Sequence, residues 1–517
     1  MERHSVMVQQ IQTKIREFYN SKTPYRVYHG STNSTRHVAF DPDRIVDVSS
    51  LNRVLHLDLE KKTALVEPNM PMDALVNETI GVGLLPPVVM EFPGITVGGG
   101  FVGTAGESSS FKYGFFDQTV NWVEIVLADG TLAVASSTEH PDLFRGLAGS
   151  FGTLGVLTLV ELRLIDYKPY VALTYYPTSS IHSAIIKLKD ETARSDNDFV
   201  DGILFTKVKG AVVSGRLTDS CQQAGKLQRF ARPWNPWFYL HARSIADRGK
   251  PFSEVVPTKD YLFRYDRGSF WMGMYAFQYF LLPFNAVTRW ILDYFMHSRI
   301  MYHAMHASGH TDRYIIQDLA LPALNASEFI NFIDSRFGIY PLWLCPLPQN
   351  TRGSMAHPNS LAKSRNIAFQ ASSDGDDPSS DSSNSAEQYI NVGVWGPYQS
   401  SYPEYVKANR DLEASVQKMG GLKWLYARAF YTEEEFWEIY DKRKYTALRQ
   451  KYNASSLPTI YEKVREHSER DREENFYGQG LKGQVKRLVL STAFMRAVYG
   501  IWKAIRGGDY LLKRKRE

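Results

Sequence analysis

Glu107, Lys112 and Tyr113 place a carboxyl, an ammonium and a phenol close together beside a run of glycines and serines. Groups of these types can donate or hold a proton next to a bound ligand. Their setting is the stretch Glu91–Gly114, EFPGITVGGGFVGTAGESSSFKYG, with seven glycines and three consecutive serines. Such a segment is too poor in side chains to build a core. It suits close approach of backbone N–H groups to a large anionic ligand, because glycine has no Cβ and tolerates positive φ. It reads as the wall of a dinucleotide cofactor site.

Two further patches would have to meet it. His29-Gly-Ser-Thr-Asn-Ser-Thr-Arg36 is a polar turn after a strand, offering amides and hydroxyls to a diphosphate from Gly30, Ser31, Thr32, Asn33 and Ser34. Gly152-Thr-Leu-Gly155 is a tight turn whose Gly152, Thr153 and Gly155 can clasp a flat ring. Within the central stretch the candidates are Thr96, Val97, Gly98, Gly99, Gly103, Thr104, Gly106, Ser108, Ser109, Ser110 and Tyr113. Any one patch alone is what an ordinary turn looks like. Three on one domain argue for a flavin site, which needs diphosphate donors, close backbone contact and a dry wall. Gly98–Gly103 resembles G-x-G-x-x-G only superficially, without a convincing preceding strand or later acidic residue, and no GxxxxGK[ST] is present. A Rossmann or P-loop site is disfavoured.

The elements that must hold these patches read as α+β. Tyr25–His29, Arg44–Val48 and Ala64–Pro68 are strand-like, and Met72–Ile80 is a short helix introduced by Pro71. Asp129-Gly130 between apolar runs predicts a hairpin. Pro141–Gly149 is a helix, and Gly155–Ile165 a β-rich run closing a first domain at 1–165. A second, substrate-binding domain is expected over 166–349, with aromatic clusters at Trp234–Tyr239 and Phe270–Phe280 suited to a flat apolar ligand. The span 350–388 is read as a disordered acidic, serine-rich insertion. Structure resumes over 389–465, including a helix capped by Thr432 with Glu435 three residues on.

Composition excludes several classes. Apolar residues are 44% and charged residues 22%, ordinary for a globular protein. Two cysteines, Cys221 and Cys345, allow neither a disulfide framework nor a CxxC metal site; no metal and a reducing compartment are expected. No signal peptide and no uninterrupted apolar run of about 20 residues is visible. From Lys482 onward ten Lys or Arg face two acids. Within 466–517, Val485, Leu488, Met495, Tyr499, Trp502 and Ile505 fall near helical spacing, a basic amphipathic pattern that predicts contact with a membrane surface or docking on the protein's own body. No nucleic-acid module accompanies the charge, so nucleic acid is not expected as a partner.

A family resemblance rests on an ordered set of segments: VEPNMPM at 66–72, TVGG at 96–99, GTAGESSSFKYG at 103–114, EIVLADG at 124–130 and GTLG at 152–155. It continues through RGSFW at 267–271, Gln317-Asp318, YPLWLCP at 340–346 and EEEFWE at 433–438. Over roughly 24–465 the chain resembles the delta-24-sterol reductase family of FAD-binding PCMH-type (vanillyl-alcohol-oxidase-like) flavoproteins. The resemblance implies a two-subdomain PCMH-type FAD domain followed by an α+β substrate (cap) domain. It also implies non-covalent FAD and NADPH as reductant. The reaction it implies is saturation of a C=C bond in the side chain of a sterol or related isoprenoid, at an endoplasmic reticulum membrane surface or in the cytoplasm. The alternatives are an FAD-dependent oxidase or dehydrogenase of a lipophilic metabolite and a sterol-binding protein without chemistry. His29 is read as a packed or loop histidine rather than a covalent flavin link. Against that resemblance, the chain is expected to start almost at the FAD domain, without the family's N-terminal membrane-anchor segment. An isolated alkene is a poor hydride acceptor, so reduction needs a proton delivered to its less substituted carbon in a dry site, with hydride from the flavin. The candidate acids are Glu107, Lys112 and Tyr113, with Tyr265, Asp266 or Arg267 from the second domain.

Overall fold

The computed structural model describes residues 1–36, 40–221, 226–348, 354, 356, 388–467, 476–477, 480–507, 511 and 512. The expected disordered insertion at 350–388 lies almost wholly outside the described residues.

The chain opens with a helix, Glu2–Asn20, unassigned from sequence, whose Val8, Ile11, Ile15 and Phe18 bury one stripe at helical spacing. Strands β1 (Arg26–Tyr28) and β2 (Ile45–Asp47) pair in parallel. An antiparallel sheet of β3 (Val54–Asp58), β4 (Thr63–Val66), β6 (Val120–Leu127), β7 (Leu132–Ser136) and β8 (Gly155–Arg163) has the order β3-β4-β8-β6-β7. Here β6 and β7 are the arms of the Asp129-Gly130 hairpin. The short β5 (Leu84–Leu85) pairs with β9 (Ile165–Asp166).

The remaining strands are β10 (Tyr170–Thr178), β11 (Phe199–Thr206), β12 (Lys209–Thr218), β13 (Phe252–Pro257), β14 (Tyr314–Pro322), β15 (Leu342–Leu347), β16 (Tyr389–Pro397) and β17 (Leu422–Lys423). They form one antiparallel sheet in the order β13-β10-β12-β11-β15-β16-β14-β17. With these two sheets and the helices around them, the fold is α+β.

The two-residue period of this second sheet positions the site. Leu342 and Leu344, Ile390, Val392 and Val394, and Ile315, Leu319 and Leu321 point to one core beneath the helices Ile181–Thr192, Ala323–Arg336 and Tyr402–Lys418. The alternate residues Trp343, Cys345 and Leu347, Asn391 and Trp395, and Asp318 point the other way and line a cleft. Gly393 makes room there: a Cβ would lie 2.9 Å from Asp318 Oδ1 and 3.1 Å from Trp343 Cβ.

Candidate active site

A single cleft of about 310 Å³ runs between the first domain and this sheet face, within the size range of small-molecule sites. All three sequence patches reach it. Ser31, Thr32, Asn33 and Ser34 line it from the first, Thr96, Gly98, Gly99, Gly103 and Gly106 from the second, and Gly152 and Gly155 from the third. Gly30 adjoins it with φ +81°.

The central stretch is not irregular throughout. Thr96 Oγ1 accepts from Gly99 N at 3.1 Å and caps a short helix, Val97–Val102, and Ser110–Tyr113 forms another. Most of its amides are engaged within the protein: Val97 donates to Met70 O, Gly98 to Pro68 O and Ala105 to Gly100 O. Gly98 is needed for close packing, since a Cβ would stand 2.8 Å from Pro68 Cβ. The glycines therefore set the shape of the wall rather than a row of free donors.

Several candidates do not reach the cleft lining. Val97 is core. Thr104, at φ 50°, donates to Gly103 O. Ser109 donates to Pro87 O at 2.8 Å, and Ser110 Oγ accepts from Glu107 N at 2.8 Å. Ser108 O accepts from Val200 N at 2.8 Å, tying this loop to β11. Thr153 is buried and accepts from Tyr445 Oη at 2.8 Å. Lys112 Nζ pairs with Asp198 at 2.7 Å, and Tyr113 faces the same carboxylate, so both are turned from the cleft. Tyr265 donates to Asp201, Asp266 binds His297, and Arg267 binds Asp293. The aromatic cluster near Trp237 is core. Phe92, Tyr302, Trp343, Trp395 and Trp424 supply the aromatic walls instead.

One end of the cleft is cationic. Arg26, Arg36 and Lys463 line it, and the charges beside Arg36 and Lys463 are one another's and that of Arg26. Arg36 Nε donates to Ser34 Oγ at 3.0 Å, and Lys463 Nζ donates to Phe151 O. Burial and the neighbouring Arg26 charge lower Arg36 to about 10. Burial, then Arg26 and Arg36, hold Lys463 well below the usual lysine range. His29 lines the same end with a buried, unpartnered Nδ1, and burial with the Lys463 and Arg36 charges lowers it to about 4. Three mutually repelling cations beside a Ser/Thr/Asn turn make a site for a dense anion such as a diphosphate.

The other end is acidic and aromatic. Glu91 and Asp318 line it, with Glu107 immediately behind. Asp318 Oδ1 accepts from Asn391 Nδ2 at 2.8 Å, and its Oδ2 accepts from Tyr426 Oη. Burial nevertheless lifts the Asp318 carboxyl. Cys345 Sγ lies on the same wall, its thiol pushed up by burial and by the carboxylate charges.

Sequence reasoning singled out neither Glu91, Asp318, Asn391, Tyr426 nor Lys463 as a site residue. The available signal was modest: two adjacent polar residues, Gln317 and Asp318, interrupt an otherwise apolar strand.

The residues therefore fit FAD, with a cationic, hydroxyl-lined end for its diphosphate and a dry aromatic end for its ring system. Comparison with known proteins agrees. Residues 7–136 match the FAD binding domain family. The chain is 29% identical over 424 residues to the Delta(24)-sterol reductase of Homo sapiens, covering 80% of this chain and 76% of that protein. It is 28% identical over 474 residues to that of Rattus norvegicus, covering 89% and 86%, and 28% identical over 467 residues to that of Arabidopsis thaliana, covering 83% and 78%. The expected FAD domain, the α+β class and the family resemblance are borne out.

Proposed function

Starting from a chain that carries an FAD binding domain and is related along most of its length to Delta(24)-sterol reductases, we propose an FAD-dependent oxidoreductase that saturates a C=C bond in the side chain of a sterol or related isoprenoid. NADPH is the reductant in this reading. The observation that carries it is one cleft lined both by the cations Arg26, Arg36 and Lys463 with the Ser31–Ser34 turn and by the acids Glu91 and Asp318 among aromatic walls.

Arg36, Lys463 and the Ser31–Ser34 turn would hold the diphosphate, with Gly152 beside Lys463, since a Cβ on Gly152 would lie 3.7 Å from Lys463 Nζ. When bound and reduced by NADPH, the flavin would supply the hydride that an alkene needs. Phe92, Tyr302, Trp343 and Trp395 exclude water and offer flat apolar contact to a lipophilic substrate. The carboxyl groups at this end stand where a proton is required.

This reading also puts the protein at an endoplasmic reticulum membrane surface or in the cytoplasm, with peripheral membrane contact through its C-terminal tail. The C-terminal segment expected as one helix is two, Gly480–Val489 and Ala493–Arg506, bent by 110°. No single helix among the described residues is long and apolar enough to cross a membrane. The second helix docks on the body through small residues, for a Cβ on Gly500 would lie 2.5 Å from Ala304 O. Its Phe494, Val498, Trp502 and Ile505 stay exposed, with Arg506 beside them. Phe494 meets Phe280 at 6.0 Å, next to a second exposed apolar set: Leu281, Val287, Trp290 and Ile291. Two apolar patches that adjoin beside basic side chains suit an anionic lipid surface.

The test is an anaerobic titration of the FAD-loaded protein. NADPH is expected to bleach the flavin absorbance, a side-chain-unsaturated sterol to restore it, and the product to gain two hydrogens by mass. Inertness to NADPH, with bleaching by the lipophilic substrate alone, would overturn the reductase reading in favour of an oxidase or dehydrogenase.

A further inference from the structure

The group that delivers the proton can be identified from the cleft, on the premise that the cleft reduces an alkene. Two acids, Glu91 and Asp318, line it and a third, Glu107, stands behind them, and their surroundings differ. Both oxygens of Asp318 accept from donors, Asn391 and Tyr426, so the site supports Asp318 as an anion. Glu107 is 3% exposed; its Oε2 accepts from Ser108 N at 2.7 Å, and its Oε1 has no donor. The side chain that meets it is the carboxyl of Glu91, which lines the cleft as Glu107 does not.

Two carboxylates facing each other, Glu107 buried and Glu91 half-buried on the cleft wall, repel more strongly than in water, because the lower dielectric screens them less. A single proton between them turns that repulsion into a hydrogen bond and gives Glu107 its missing donor. We propose that Glu91, sharing one proton with Glu107, is the catalytic acid of the alkene reduction. Its O–H bond breaks and the alkene π pair forms the new C–H bond at the less substituted carbon. The other carbon accepts the hydride that the reduced cofactor supplies, and the carboxylate left on Glu91 regains a proton from water. Asp318, as an anion on the same wall, stabilises the positive charge that develops meanwhile.

Burial and then the Glu107 charge push Glu91 well above the usual carboxyl range, with Asp318 adding to the effect. Tyr302, Tyr426 and Cys345 face it from the other elements, all held neutral by burial. Arg264 behind Glu107 is engaged by Asp201 and leaves the pair its proton.

The experiment uses FAD-loaded protein and Glu91→Gln, Glu91→Asp, Glu107→Gln and Asp318→Asn variants. Infrared titration across about pH 5–9 should show a protonated-carboxyl C=O band in the parent protein. Glu91→Gln should remove the band, and Glu107→Gln should shift its loss to lower pH. Alkene turnover should fall by about 10²–10⁴-fold in Glu91→Gln, with partial recovery in Glu91→Asp and a solvent isotope effect in the parent. Absence of the band in the parent near neutral pH overturns the proposal. So does full turnover by Glu91→Gln, or loss of the band only in Asp318→Asn. Should the parent fail to react with NADPH or sterol, the reductase reading falls, while the infrared result still decides the shared proton.

Discussion

Arg264 Nη2 lies 2.7 Å from Asp201 Oδ2, with both side chains removed from water. The same carboxylate oxygen accepts from Tyr265 Oη at 2.8 Å and from Trp343 Nε1 at 3.1 Å. Arg264 also reaches Ser108 Oγ at 3.4 Å. One ion pair thus fixes a tryptophan of the cleft wall and the loop that carries Glu107. Breaking a buried pair leaves an uncompensated charge, so Arg264→Met should cost about 3–5 kcal/mol. Denaturant unfolding checks this, and the double variant Asp201→Asn/Arg264→Met should recover part of the loss. A cost below about 1 kcal/mol would place the pair among those that contribute little.

At the cationic end, Lys463 and Arg36 repel each other and Arg26 until an anion arrives. Binding a diphosphate should raise Lys463 toward its ordinary range and draw in a proton. FAD affinity should therefore weaken as pH rises through the window above the depressed Lys463 value, and calorimetry in buffers of different ionisation enthalpy should record net proton uptake. A charge-assisted hydrogen bond contributes about 1.5–3 kcal/mol, so Lys463→Met should weaken FAD binding about 10–100-fold and abolish the uptake. Unchanged uptake in the variant would assign the proton elsewhere.

Local composition made part of the site legible. Ser31–Ser34, Gly98-Gly99 and Gly152 announce themselves because glycine and small polar residues concentrate where backbone must turn or approach closely, and all line the cleft. Glu91 opened the same stretch, yet its meaning depends on Glu107 folding back against it. Asp318, Asn391 and Trp343 sit on three strands joined only by long-range pairing, Asp318 opposite Gly393 and Asn391 opposite Cys345. Period-two patterning shows that such strands have two faces, but not which face meets a cleft. Lys463 lies 437 positions from Arg26 by residue number (463 − 26), and no local signal connects them. The strands and the Asp129-Gly130 hairpin were readable because turn chemistry and alternation are local. The helix Glu2–Asn20 was missed because its many charges masked a narrow apolar stripe.

His4 on that first helix donates to or accepts from Glu67 at 3.0 Å and Glu124 at 3.3 Å, and it is buried. The hydrogen bonds to Glu124 and Glu67 push its ring up to about 9, from 6.5 when unfolded. A folded-state value above the unfolded one contributes stability that is complete below about pH 6.5 and is lost as pH rises through about 9. His4→Gln should therefore melt below the parent protein at neutral and mildly acidic pH, with the gap closing between those two values. A gap that stays constant across that window would show that the imidazole is neutral in the fold.

Leu281, Trp290 and Ile291 are 91%, 55% and 63% exposed, an unusual outlay of large apolar surface for one short region. Trp502 and Ile505 on the C-terminal helix extend the same kind of surface, and the Phe280–Phe494 contact joins the two. That helix packs along Ser298–Ser308, which carries Tyr302 into the cleft, so a lipid surface here would lie one helix away from the aromatic walls. Burying each large side chain in the interface contributes up to about 1.5–3 kcal/mol. Leu281→Ser/Trp290→Ser/Ile291→Ser should therefore lower partitioning onto anionic vesicles at least about 100-fold, while the melting temperature stays near that of the parent because these side chains bury little. High salt should weaken binding of the parent through its basic residues without reproducing the loss in the triple variant. Vesicle sedimentation at two ionic strengths separates the two contributions, and parent-level binding by the triple variant would confine any membrane contact to the C-terminal helices.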